Sequence, residues 1–110
     1  MVRGVCSAQN GGTLTISDGS RYPVNIIKFN RDDDRFHPTQ KPVDLIRYLV
    51  LTYSNEGGVI LDATMGSGTT AIACIKEHRH FIGFELNKEY FDKAVKRIRQ
   101  EQQQLTLNFE

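Results

Sequence analysis

Leu61-Asp-Ala-Thr-Met-Gly-Ser-Gly-Thr-Thr70 is the stretch that decides the fold. It begins as the end of Gly58-Val-Ile-Leu61, a short apolar run bounded by turn residues, the pattern of a strand buried on both faces. Gly66 and Gly68 then remove side chains where the backbone turns tightly or a ligand comes close to it. Beyond them Thr69–His78 reads as a helix, with Ala71, Ile72, Cys74 and Ile75 as its packing positions. A second apolar run, Phe81-Ile-Gly-Phe84, closes on Glu85. It leads into an amphipathic helix, Lys88–Gln103, with Tyr90 or Phe91, Ala94, Val95 and Ile98 inward. Residues 58–100 therefore spell strand, loop, helix, strand, helix, a right-handed parallel α/β unit.

Upstream, Val43, Ile46, Leu49, Val50 and Tyr53 recur at helical spacing to about Ser54, with Pro42 in the first turn and Asn55-Glu-Gly-Gly58 as the stop. Asn30–Arg35 is a charged loop, and its run Asp32-Asp33-Asp34 reads as solvated rather than as a metal site. Thr13–Ile16 alternates with period two, Ser17-Asp-Gly-Ser20 has turn chemistry and Arg21–Phe29 is β-rich, which predicts a hairpin. Residues 1–12 read as irregular, and the tail Leu105–Phe109 as a packed end or an edge strand. The expected organisation is one α/β domain over 1–110, with a β-rich segment and loop at 1–36 and the ligand-holding part at 37–110.

Composition sets the bounds. A chain of 110 residues has the size of one domain. It should bury roughly 65% of its unfolded surface, so a modest core needs no staples. Charged residues at 25% exclude disorder along the whole length, and a formal charge of +1 argues neither for nor against nucleic acid. No apolar run approaches a membrane span, and Met1–Ala8 lacks the apolar stretch of a secretory signal. Cys6 and Cys74 lack metal-ligand spacing and read as reduced thiols, so a cytoplasmic protein is expected.

Glu85 follows Asp62 by 23 residues and falls at the tip of the neighbouring strand, where a carboxylate accepts both hydroxyls of a ribose. A nucleoside-containing ligand is expected. Gly66-Ser-Gly68-Thr-Thr-Ala71 satisfies the loose dinucleotide pattern, so an oxidoreductase module is one alternative. Asp62 argues against it, because a fixed negative charge beside the loop repels a pyrophosphate. The same charge suits the ammonium group of S-adenosylmethionine, a sulfonium cation without phosphate. No Gly-Lys-Ser/Thr follows the glycines, which excludes a nucleoside-triphosphate loop. In His37-Pro-Thr-Gln-Lys-Pro42, Thr39 and Lys41 offer a hydroxyl and an ammonium to the ligand's carboxylate at a helix entrance.

Taken together, His37–Pro42, Asp62–Thr70 and Phe84-Glu-Leu86 resemble the C-terminal half of the S-adenosylmethionine-dependent DNA amino-methyltransferases, which make N6-methyladenine or N4-methylcytosine. The likeness covers about residues 21–100 and is to the permuted group, in which the catalytic segment precedes the cofactor segment. It implies a partial Rossmann-like methyltransferase fold: parallel strands with flanking helices plus an N-terminal β-hairpin. It also implies that Asp62, Thr64 and the loop Gly66, Ser67, Gly68, Thr69 and Thr70 hold the methionine part. Glu85 would hold the ribose, Leu86 would pack near the adenine, and Thr39 and Lys41 would form the second cofactor segment. Restriction–modification enzymes and double-stranded DNA are the implied setting, with adenine favoured over cytosine. The family's loop opens Asp-Pro-Phe, where this chain has Asp62-Ala-Thr64.

The larger departure concerns catalysis. The family's catalytic element is Asp/Asn/Ser-Pro-Pro-aromatic, whose polar groups grip the target amine while the ring stacks on the flipped base. Pro23, Pro38 and Pro42 are the three prolines, and no two are adjacent. The expectation is a cofactor-binding part, inactive alone, whose catalytic segment lies on a longer chain, a split gene or a second subunit. A non-catalytic remnant is the other alternative. The strand Val59–Leu61 should lack a neighbour on its catalytic side, which predicts self-association or a partner chain.

Overall fold

The computed structural model describes residues 6–9, 13–16 and 26–108, the first two stretches as backbone. The chain divides into two compact units, residues 1–31 and 32–110. In the first, β1 (Cys6–Gln9) pairs antiparallel with β2 (Thr13–Ile16), Cys6 opposite Ile16 and Gln9 opposite Thr13. A hairpin therefore forms upstream of Thr13, in the stretch that reads as irregular, while the expected partner segment Arg21–Phe29 lies in large part outside the described residues. Asn10-Gly11 between the strands is strong hairpin-turn chemistry. The small residues of Cys-Ser-Ala-Gln give it no β-rich flank to announce it. Ser17–Ser20 and residues 21–25 lie outside the described residues, and 26–29 are irregular.

The second unit runs α1 (Val43–Tyr53), β3 (Val59–Asp62), α2 (Thr69–Lys76), β4 (His80–Gly83) and α3 (Lys88–Leu107). β3 and β4 are parallel, Val59 opposite His80 and Asp62 opposite Gly83. Their ladder continues past the strand ends. The Phe84 amide donates to the Asp62 carbonyl at 3.0 Å, and the Met65 amide to the Phe84 carbonyl at 2.8 Å. These bonds pin the glycine loop to the tip of β4.

α2 is the crossover between the strands and the centre of the core. It touches α1, β4 and α3, and Ala71, Ile72, Ala73 and Cys74 are all buried. Small residues on several faces let three neighbours approach one short helix. Val50, Ala73 and Cys74 pack with Ile46, Ile60 and Phe81, while Ala71, Ile72 and Ile98 pack with Val43, Ile75 and Phe81. Burial pushes the Cys74 thiol above its ordinary pKa, so it behaves as a small neutral apolar group. Ion pairs tie the layer from outside: Arg47 of α1 to Glu77, and Lys76 of α2 to Glu101 of α3 at 2.7 Å. Arg79 reaches back to the Ser54 carbonyl at 2.9 Å, fixing the end of α1 against the start of β4.

One expectation is corrected here and another narrowed. Among the described residues, the strands are covered on one face only. Ile60 and Phe81 face the helices, whereas Val59, Leu61 and Ile82 on the other face are 62%, 65% and 51% exposed. An apolar run reads the same whether one layer or two cover it, so the composition of β3 and β4 does not distinguish the cases. As far as Leu107 the tail is a packed end rather than an edge strand, since α3 continues to that residue with Asn108 as its cap. Gln102–Gln104 are adequate helix formers, and half-buried Leu105 stands two turns beyond Ile98 on the inner stripe.

Candidate functional site

The glycine loop leaves β3 at Asp62 and enters α2 at Thr69. Gly66 (φ +53°) and Gly68 (φ +80°) both take the left-handed conformation that side chains resist. Gly68 also lies under α3, where a Cβ would stand 3.3 Å from that of Ala94. Asp62 organises the turn. Its carboxylate accepts from the Thr64 amide at 3.1 Å and from the Thr70 hydroxyl at 2.6 Å. Glu85, at the tip of β4, accepts from the Gly66 amide at 2.9 Å and from the Asn87 amide at 2.8 Å. Two negative charges are thus fixed at adjacent strand tips, each by a pair of hydrogen bonds. A carboxylate offers about four acceptor positions, so both keep capacity for a ligand.

The facing wall comes from residues 37–41. The His37 Nδ1 accepts from the Thr39 amide at 3.2 Å and lies 3.2 Å from its hydroxyl. That bond leaves the neutral ring with its proton on Nε2, the side near Gly66. Tyr90 of α3 packs on the ring, centroids 4.2 Å apart. A Cβ on Gly66 would stand 3.5 Å from the His37 Nε2, so the glycine keeps the space between the walls open. The walls are joined where the Thr69 hydroxyl donates to the Lys41 carbonyl at 3.2 Å.

Between them lies a cleft of about 430 Å³. Of the residues singled out from sequence, it brings together Thr39, Lys41, Asp62, Thr64, Gly66, Ser67, Thr69, Thr70 and Glu85. Gly68 is buried against α3 and Leu86 is fully exposed, and neither lines the cleft. Ser67 and Thr69 line the cleft but are buried, their hydroxyls 3.1 Å apart. His37, Gln40, Ile46 and Met65 line it as well. His37 stands inside the quoted segment, and its spacing from Thr39 is the signal that would have found it.

The aspartate run departs from its sequence reading. Asp32 is not a solvated residue. Its carboxylate accepts from the Val43 amide at 3.1 Å, closing the first turn of α1, and pairs with Arg97 of α3 at 3.3 Å. Asp33 and Asp34 are exposed. The partner arrives from 65 residues away, which no local pattern announces.

Comparison with known proteins agrees with this geometry. Residues 15–96 match the family described as DNA methylase, the N6/N4 methyltransferases. The chain is 35% identical over 85 residues to the type II methyltransferase M.BglII of Bacillus subtilis, covering 77% of this chain and 24% of that protein. It is 39% identical over 83 residues to the DNA adenine methyltransferase YhdJ of Escherichia coli K12, covering 71% and 28%. The crystal structure of the M1.HpyAVI–SAM complex superposes with a TM-score of 0.60 at 41% identity, over 66% of this chain and 36% of that one. The chain thus spans about a quarter of the length of these curated relatives. Among the described residues, no helix is long and apolar enough to cross a membrane. With most of its length matched, and its glycine loop and strand-tip carboxylates forming one cleft, the chain belongs to the N6/N4 DNA methylase family.

Proposed function

We propose that this chain holds S-adenosylmethionine for a DNA methyltransferase acting on the exocyclic amine of adenine or cytosine. The observation that carries the reading is the pair of fixed carboxylates, Asp62 and Glu85, over a glycine loop open to a cleft. That pair of acceptors suits cations and hydroxyls and disfavours a pyrophosphate. The resemblance to a structure solved with S-adenosylmethionine supports it. Adenine is the favoured base because the relative YhdJ is an adenine methyltransferase.

When bound, the cofactor supplies a methyl group made electrophilic by its sulfonium. The chain's own residues bind and orient. Asp62 receives the ammonium, and Thr39 and Lys41 receive the carboxylate. Gly66, Ser67, Gly68, Thr69 and Thr70, with Thr64, shape the loop around the methionine part. Glu85 takes the ribose hydroxyls, and Leu86 covers the adenine. Proton handling at the target amine and stacking of the flipped base fall to an Asp/Asn/Ser-Pro-Pro-aromatic element, which this sequence does not contain. The chain therefore works with a catalytic segment or subunit, engages double-stranded DNA through the complete enzyme, and resides in the cytoplasm. The open strand face makes self-association the expected behaviour of the chain alone.

Titration calorimetry is the test. S-adenosylmethionine or S-adenosylhomocysteine should bind, NAD should not compete, and the chain alone should put no methyl group on DNA. NAD affinity with no response to either S-adenosyl compound overturns the reading.

A further inference from the structure

Arg97 is almost hidden, its side chain 11% exposed, and lies on α3 outside every motif of the cleft. Its Nη1 donates to the Thr69 hydroxyl at 3.1 Å and contacts the Ser67 carbonyl at 3.4 Å, both in the glycine loop. Its Nη2 donates to Asp32 at 3.3 Å, and its Nε pairs with Asp34 at the same distance. Asp32 in turn accepts from the Val43 amide, just after Lys41 and Pro42. Thr69 donates to the Lys41 carbonyl. One guanidinium is thus bonded to the loop on one wall of the cleft and to the support of the other. A planar fork with five donors holds both directions at once in a fixed geometry that an ammonium on a flexible stem lacks. The charge is retained out of water because Asp32, itself only 18% exposed, balances it.

We infer that Arg97 is a positioning residue that sets the spacing between the 39–41 wall and the 67–70 wall, the end of the cleft that takes an amino-acid group. The inference rests on the cofactor reading above. Glu85 and Leu86, at the β4 tip, have no hydrogen bond to Arg97 among the described residues, so the nucleoside end stands apart from this control. A role confined to stability would weaken all ligands alike. A positioning role weakens only those that carry the amino-acid group.

The test compares two ligands on the full chain and its Arg97→Gln and Arg97→Lys variants. S-adenosylhomocysteine carries the amino-acid group, and 5′-methylthioadenosine lacks it. Both variants should lose about ten- to a hundredfold in affinity for S-adenosylhomocysteine, the loss of a charged hydrogen bond put out of register, and keep their affinity for 5′-methylthioadenosine. The lysine variant keeps a cation for Asp32 and so covers the case in which the glutamine variant fails to fold. Equal losses for both ligands, or none, overturn the inference. Amide hydrogen exchange without ligand gives an independent readout: residues 39–43 and 67–69 should exchange faster in the variants while 71–74 hold. If the unaltered chain binds neither ligand, the cofactor reading falls, and exchange alone decides whether Arg97 joins the walls.

Discussion

At the scale of single residues, Glu85 carries the most separable chemistry. Its two oxygens serve two backbone amides, Gly66 and Asn87, while facing the cleft. Glu85→Ala should weaken S-adenosylhomocysteine binding by about 1–3 kcal/mol, the value of a hydrogen bond to a charged acceptor. Glu85→Gln is no conservative change here, because its single carbonyl cannot serve both amides and its NH₂ would face a donor. It should lower both the affinity in calorimetry and the melting temperature. Unchanged melting would show that the loop does not lean on Glu85. Asp62, Gly66 and Glu85 were legible because each belongs to a short pattern with a physical purpose. Asp32 and Arg97 were not, since what joins them is the placement of α3 across the loop. Neither residue's own neighbourhood carries that signal.

At the scale of elements, the junctions decide stability more than the elements themselves. Gly57 and Gly68 have nearly the same positive φ, +78° and +80°, but different surroundings. A Cβ at Gly57 meets nothing within 4 Å, while at Gly68 it presses on Ala94. Gly57→Ala should therefore cost only left-handed strain, about 1–2 kcal/mol. Gly68→Ala should cost the same plus a further 1–3 kcal/mol or so for overpacking against α3. Urea denaturation of the two variants measures the difference, and equal costs would mean that α3 yields freely. α1, β3, α2, β4 and most of α3 were legible because their apolar periodicities are strong and their stops are glycines or charged turns. Boundaries moved by a residue or two where the ladder ran one step further, as at Asp62. β1 was missed because Cys6–Gln9 has little strand character of its own. The last turn of α3 was missed because a glutamine run carries no periodicity.

At the scale of the whole molecule, the uncovered face of β3 and β4 matters most. Leu61 and Ile82 stand open beside Phe84, which is 58% exposed. No described strand pairs with the free edge of β3. Sedimentation velocity over a range of concentrations should show association, and Leu61→Glu should shift it toward monomer while leaving the helical core intact. A dye-silent monomer at all concentrations would show that this face is closed in solution. The sequence could not announce which face stays bare, because a covering layer leaves no mark on the strand that it covers. The pairing of Asp32 with Arg97 bears on a different property, the order of assembly. The other packing partners in this unit, α1 on α2, β3 on β4, α2 on β4 and α3, span shorter separations in sequence. The Asp32–Arg97 contact instead closes a span of 65 residues and suits a late event. A contact made after the rate-limiting step acts on the lifetime of the folded state rather than on the speed of reaching it. The bond that spaces the cleft would then also act as the latch that slows the molecule's opening.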